Sequence, residues 1–154
     1  MPKIDLDSIE QVNRTGYPDP FHKQVAGRWY RRLAPASGVT DFGVSHVVLK
    51  PGAWSSQRHW HNGEDEFLVM LEGEAVLVED NGRTVLRAGD CAAWPKGTTN
   101  GHHLRNESER DCTFIVVGGG TNTGGGYSDI DLLFTPDGTY THRDGTAYEA
   151  KRPA

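Results

Sequence analysis

One stretch, RHWHNGEDE at residues 58–66, decides both the fold and the chemistry that this chain can perform. Residues two apart in a β-strand point to the same face, so His59 and His61 share a face. Asn62-Gly63 is a turn signal, which predicts that the chain reverses and places Glu66 on the next strand. Ligands on one helical face lie three or four residues apart, so this spacing does not suit a helix. The stretch predicts a metal site on a β-sheet.

Residues on both sides of this stretch complete two motifs. The first consists of Gly52, His59-x-His61, Glu66 and Gly73. The second consists of Gly89, Pro95-x-Gly97, His102 and Asn106. Over residues 44–117 they resemble the two motifs of the cupin superfamily, and the chain as a whole resembles its small single-domain members. The resemblance implies an all-β fold, a double-stranded β-helix or jelly-roll barrel, with a metal at its centre.

The resemblance also implies a set of four metal ligands, namely His59, His61, Glu66 and His102. One departure from the second motif leaves His103 as an alternative, because four residues rather than two separate Gly97 from His102. The spacing to Asn106 favours His102, and since neighbours in a strand point to opposite faces, only one of the two histidines can bind. Imidazoles with one carboxylate suit a divalent transition metal, here iron, manganese, zinc or nickel.

Composition limits the remaining possibilities. A chain of 154 residues fits one domain, and a net charge of −5 with a pI near 5.8 argues against nucleic acid as a partner. No apolar stretch approaches the roughly twenty residues that a membrane span needs. The first residues lack the charged and apolar regions of a signal peptide, which predicts a cytoplasmic protein.

The chain divides into an N-terminal arm over residues 1–25 packed on the barrel, the barrel over 26–135, and a tail over 136–154. Strands are predicted where apolar residues alternate with polar ones between turn signals. The predicted strands cover 28–33, 42–49, 66–71, 75–79, 84–87, 91–94, 102–105, 112–117 and 127–134. The glycine-rich tract 118–126 is predicted to be a flexible connector leading to the last strand.

The same alternation predicts the lining of the barrel. If the ligands face inward, so do Leu68, Met70 and Leu104, which gives a largely apolar pocket typical of small-molecule sites. Such a pocket lacks the cationic cluster that a phosphorylated sugar would need.

Three residues are candidates for a catalytic role. Arg31 shares the predicted apolar face of its strand and could clamp a substrate carboxylate, although a position at the rim or at a dimer interface is the simpler alternative. Tyr127 and His142 could close over the barrel mouth and supply an acid or base, although packing of the tail is again the simpler role. No catalytic base is evident.

Four protein ligands on a metal that prefers six leave two positions for substrate or dioxygen, which favours a catalytic site. We therefore expect a metal-dependent enzyme that acts on a small oxygen-rich metabolite such as a carbonyl compound, hydroxy acid or sugar. Lewis-acid isomerisation, epimerisation or elimination is favoured over an iron-dependent dioxygenase reaction. A non-catalytic small-molecule binding or sensing module is the alternative from another class. The resemblance commonly implies a homodimer.

Overall fold

A computed structural model describes residues 2–149 of the chain. Within these residues, helices are limited to the single turn α1, Leu33–Ala36, and two 3-10 turns, Leu6–Ser8 and Lys23–Val25. Within this part of the chain, no helix has the length and apolar character needed to cross a membrane. The strands are β1 Arg28–Arg32, β2 Phe42–Leu49, β3 His59–His61, β4 Glu64–Glu72, β5 Glu74–Glu79, β6 Gly82–Arg87, β7 Cys91–Trp94, β8 His103–Arg105, β9 Cys112–Gly120, β10 Gly125–Tyr127, β11 Leu133–Phe134 and β12 Tyr140–Thr141.

The strands form two facing layers. One layer is a five-stranded sheet in the order β1-β2-β9-β4-β7. The other combines a four-stranded sheet, β12-β11-β10-β3, with a three-stranded sheet, β6-β5-β8. These two sheets meet where the backbones of His59 and His102 exchange hydrogen bonds of 3.2 and 3.0 Å. The all-β jelly roll predicted from the sequence is confirmed, and we call this junction the seam.

The main core lies between the two layers. Alternation along β4 directs Leu68 and Met70 inward, where each is at most 2% exposed, and leaves Phe67 and Leu71 outside at 45% and 47% exposure. Burial of a large aliphatic side chain contributes roughly 1.5–3 kcal/mol, so this alternation fixes which face of β4 points inward. Glu66 belongs to the inward set, so the core also orients a polar side chain.

A second core joins the two ends of the chain at the rim of the barrel. Tyr17 and Val25 from the N-terminal segment pack with Tyr127 and Leu132 from the C-terminal segment. The N-terminal segment also extends the sheet, because Val12 and Tyr30 exchange backbone hydrogen bonds of 3.0 and 2.8 Å. Met1 of the predicted arm and residues 150–154 of the predicted tail lie outside the described residues.

The end of the barrel differs from the sequence prediction. The expected strand over 127–134 is wrong, because β10 and β11 are separate strands that pair antiparallel. The glycine tract is not only a connector, since β9 extends to Gly120 and β10 begins at Gly125. Gly125 and Gly126 are buried against β3. The predicted bounds of β2 and β7 are confirmed.

Candidate metal centre and cavity

Three strands bring four potential metal ligands together. His59 and His61 project from β3, Glu66 projects from β4, and His102 immediately precedes β8. The nitrogen and oxygen ligand atoms of His59, His61 and Glu66 all lie within 4.8 Å of one another, so these three residues could hold a metal ion. His102 lies beside them, with its Nε2 3.5 Å from Glu66 Oε1.

The distances inside this cluster are short. The Nε2 atoms of His59 and His61 are 3.2 Å apart, and Glu66 Oε2 lies 3.1 Å from His61 Nε2 and 4.0 Å from His59 Nε2. None of the four side chains is more than 21% exposed. The donors of His59, His61 and Glu66 therefore converge on one point that solvent reaches only in part, and the Nε2 atom of His102 lies beside Glu66.

Neighbouring groups hold each imidazole so that its Nε2 faces the cluster. His59 Nδ1 lies 2.9 Å from the carbonyl oxygen of Gln57, and His61 Nδ1 lies 3.2 Å from Glu64 Oε2. The ring of His102 stacks on Trp94 with 3.8 Å between ring centroids. Outer contacts of this kind fix the ring orientation and leave Nε2 available to a metal.

The position of β3 depends on close packing against β10. Gly126 pairs with Trp60, and a Cβ atom on Gly126 would lie 2.4 Å from the Cζ2 atom of the Trp60 ring. A Cβ atom on Gly125 would lie 2.0 Å from the carbonyl oxygen of Trp60. Only glycine allows β10 to come this close, so the glycine pair determines how closely β3, the strand that carries His59 and His61, packs against β10.

Burial and neighbouring side chains together set the charge states of His59 and Glu66. It lowers the pKa of His59 to about 3, which keeps this imidazole neutral at physiological pH. Burial acts to raise the pKa of Glu66, but the imidazoles of His102 and His61 outweigh it and hold that pKa below its usual range. A neutral imidazole beside an ionised carboxylate has the protonation that metal binding requires.

His103 points away from the cluster. It is 1% exposed, its Nδ1 donates to the carbonyl oxygen of Ser56 at 2.8 Å, and its Nε2 accepts from Arg105 Nε at 2.9 Å. Its ring also packs edge-on against Trp54. Of the two neighbouring histidines, His102 is therefore the one placed beside Glu66.

The cluster opens into a cavity of about 370 Å³, within the range of small-molecule sites. His59, Glu66 and His102 contribute to its lining, together with apolar side chains that include Leu68, Leu104 and Phe114. Three further lining residues are arginines, namely Arg14, Arg28 and Arg32. The expectation of a pocket without a cationic cluster is therefore wrong.

Arg31 is not one of these arginines. Arg28, Tyr30 and Arg32 line the cavity, so alternation along β1 directs Arg31 to the opposite face. There its Nε donates to the carbonyl oxygen of Ile9 at 3.0 Å. Of the two interpretations of Arg31, entry into the barrel is therefore not observed, because Trp29, which shares its face, does not mark the inner face of β1.

The other two catalytic candidates lie in different surroundings. Tyr127 is 3% exposed, its ring centroid lies 5.8 Å from that of His59, and its ring packs against those of Tyr17 and Tyr140. His142 pairs with Asp131 at 2.8 Å and does not line the cavity. Tyr127 therefore packs against a proposed metal ligand, whereas His142 lies outside the lining of the cavity.

Sequence reasoning missed two tyrosines that line the cavity, Tyr17 and Tyr140. Burial raises the pKa of Tyr17 to about 12, and burial also raises the pKa of Tyr140. Both residues lie in segments without regular alternation, and only the packing of the two chain ends brings them together. No local pattern could have identified them.

Comparison with known proteins places these features in a family. The sequence profile of the Cupin domain matches residues 45–118. A sugar phosphate isomerase of the cupin superfamily from Silicibacter pomeroyi is 42% identical, over 97% of this chain and 98% of its own, with a TM-score of 0.89. The chain belongs to the cupin superfamily. No curated protein matches it significantly.

More distant structures share the fold alone. A putative sugar phosphate isomerase from Acidithiobacillus ferrooxidans is 22% identical over 82% of this chain and 81% of its own, with a TM-score of 0.67. A polyketide cyclase from Streptomyces resistomycificus is 20% identical over 84% of this chain and 87% of its own, with a TM-score of 0.66. The shared barrel therefore does not by itself identify a reaction.

Proposed function

We propose that this cupin is a metal-dependent isomerase of a small hydroxy-carbonyl compound of the sugar type. The observation that carries the proposal is a cluster of three imidazoles and a carboxylate of which His59, His102 and Glu66 line a cavity of about 370 Å³. The Silicibacter pomeroyi relative, a sugar phosphate isomerase, supports isomerisation over the other Lewis-acid reactions.

In this proposal His59, His61, Glu66 and His102 hold one divalent iron, manganese, zinc or nickel ion. Both ring nitrogens of His102 are buried and form no regular hydrogen bond, a cost that a bound metal would remove at Nε2. When bound, the metal would act as a Lewis acid that polarises a substrate carbonyl group and makes the adjacent C–H bond more acidic.

The protein's own groups would orient the substrate and limit access of water. The phenol of Tyr17, with its pKa raised to about 12, stays protonated at neutral pH, and so does that of Tyr140, so both can donate hydrogen bonds to substrate oxygens. Leu68, Leu104 and Phe114 provide an apolar wall that restricts water. The site thus combines hydroxyl recognition with a sheltered reacting carbon.

Solvent hydrogen exchange tests the proposal directly. Protein loaded separately with manganese, zinc, nickel or iron would be incubated in D₂O with aldoses and ketoses, free and phosphorylated, and followed by proton NMR. We expect aldose–ketose interconversion with deuterium entering at the carbon next to the carbonyl. The His61→Ala variant, which lacks one ligand, should be inactive.

Three other outcomes separate the alternatives. Oxygen consumption by the iron-loaded protein without isomerisation would establish the dioxygenase. Ligand binding without conversion under any metal would establish a binding or sensing module. Equal activity of wild type and His61→Ala would exclude the proposed metal site. The homodimer, the small-molecule substrate and the cytoplasmic location stay predictions.

A further inference from the structure

We infer that Arg14, Arg28 and Arg32 form a subsite for the phosphoryl group of a phosphorylated substrate. The inference rests on the proposed function for the reacting part of that substrate, while the subsite itself rests on the residues of the cavity wall. Arg28 and Arg32 share one face of β1 because they lie four residues apart in a strand. Arg14 reaches the same cavity from the N-terminal segment.

Arg28 is already held in position and still has a donor to offer. Its Nη1 donates to the carbonyl oxygen of Ser55 at 2.8 Å, and its Nη2 donates to that of Arg14 at 3.3 Å. Its Nε is buried and has no hydrogen-bond partner. The second N–H groups of its two Nη atoms are the donors that an oxyanion in the cavity would accept from.

Tyr30 organises the three cations around itself. The guanidinium carbons of Arg28 and Arg32 lie 5.4 and 5.9 Å from the centroid of its ring. Its hydroxyl donates to the carbonyl oxygen of Arg14 at 3.0 Å, and its backbone pairs with Val12. The N-terminal segment is therefore fixed where the side chain of Arg14 joins the other two.

The charges of this wall are not cancelled by protein carboxylates. Within the described residues, Arg32 forms no ion pair, and Arg14 has only Glu10, at 4.0 Å and with both side chains at least 74% exposed. Glu66 is the sole carboxylate among the lining residues, and it is engaged with the imidazoles. The wall thus keeps a net positive charge that attracts an anion.

A phosphate monoester matches this arrangement in charge and shape. Guanidinium groups bind phosphate and carboxylate oxygens through paired, charge-assisted hydrogen bonds. A carboxylate is the other chemical group that such a subsite could hold. Three cations favour the phosphoryl dianion over a single carboxylate charge, so we assign the subsite to phosphate.

Binding of a small phosphate ester tests the assignment without requiring turnover. Glycerol 3-phosphate, glycerate and glycerol would be titrated calorimetrically into metal-loaded protein and again after chelation, which removes phosphate–metal contacts. Glycerol 3-phosphate should bind in both states and glycerol should not. Arg28→Gln and Arg32→Gln should each weaken this binding roughly 10-fold to 100-fold, as loss of a charged hydrogen bond predicts.

Arg31→Gln is the matched control, because Arg31 lies on the same strand but faces away from the cavity; it should change the dissociation constant less than about twofold. Arg28→Gln could also disturb the fold, since Arg28 donates hydrogen bonds to two backbone carbonyls. The affinity of Arg32→Gln, which changes an exposed residue, is therefore the decisive measurement. Wild-type affinity in Arg32→Gln would overturn the subsite, and equal binding of glycerate would overturn the phosphoryl assignment.

The same titrations separate this inference from the proposed function. Arginine-dependent binding of glycerol 3-phosphate without isomerisation of any sugar would retain the subsite and reject the isomerase. Isomerisation that ignores the arginines, with no change in KM when Arg32 is replaced, would retain the isomerase and reject the subsite.

Discussion

The metal centre and the arginine wall line the same cavity but are built in different ways. The metal centre is built from β3 and β4, which are consecutive in the chain, and from His102 at the seam, and none of its side chains is more than 21% exposed. The arginine wall uses β1 and a segment bound to it by one β-bridge and by two side-chain hydrogen bonds to the Arg14 carbonyl, and the side chain of Arg14 is 74% exposed. One end of the cavity is therefore sheltered, whereas the other is open and charged.

Removing one metal ligand should give the largest effect. In His61→Ala, metal content measured by plasma mass spectrometry should fall from about one ion per chain to near zero, since even loss of an outer contact weakens metal binding roughly 10-fold to 100-fold. His102→Ala should lose the metal too, whereas His103→Ala and the remote His142→Ala should retain it. Full occupancy in His61→Ala would mean that the ligands are misassigned.

Acid should lower the free energy of unfolding through the buried histidines at the sheltered end of the cavity. Burial lowers the pKa of His103 to about 4, so between pH 6.5 and 4 the unfolded chain binds more protons than the folded one. Stability should therefore fall as the pH falls through this window, by roughly 3 kcal/mol for this residue. Urea unfolding at several pH values should show that the free energy of unfolding declines less with falling pH in His103→Gln than in the wild type. An equal decline in both proteins would contradict this.

Filling the gap between β10 and β3 should cause a smaller but clear loss. Gly126→Ala places a Cβ atom 2.4 Å from the Trp60 ring, and overpacking of this kind costs roughly 1–3 kcal/mol. We expect a lower free energy of unfolding and weaker metal binding, because β3 must shift. Gly43→Ala is the control, since the nearest atom to its new Cβ would be 3.7 Å away. Equal stability of both variants would show that β3 tolerates displacement.

The smallest effect should come from the open end. Tyr30→Phe removes the hydroxyl that binds the carbonyl oxygen of Arg14, a hydrogen bond worth about 1 kcal/mol. KM for a phosphorylated substrate should rise less than about tenfold while kcat stays the same. A fall in kcat with unchanged KM would place Tyr30 in the chemical step instead of in binding.

The difference between the two ends also explains what could be predicted from the sequence. His59, His61 and Glu66 fall within eight residues, so strand alternation and one turn were enough to bring them together. Arg28 and Arg32 share a face through the alternation of β1, but Arg14 joins them only through pairing between Val12 and Tyr30, which no local pattern records. The face shared by Trp29 and Arg31 was a candidate for the barrel interior, whereas the inner face of β1 carries Arg28, Tyr30 and Arg32.

The glycine tract shows a second limit of local patterns. Glycines weaken a strand when considered alone, so 118–126 was predicted to be a connector. In the fold, the absence of side chains at Gly125 and Gly126 is what allows β10 to approach Trp60. A glycine that disfavours a strand on local grounds is required here, because the opposite strand leaves no room for a side chain.

The seam has a consequence for the rate at which the metal would exchange. His59 and His102 each contribute a proposed ligand, and their backbones are hydrogen-bonded to each other. The two backbones can separate only if the sheet opens locally at the same place. A bound ion would tie them together through their side chains, so opening at the seam should also release the ion, and amide hydrogen exchange at both residues should slow together once metal is bound.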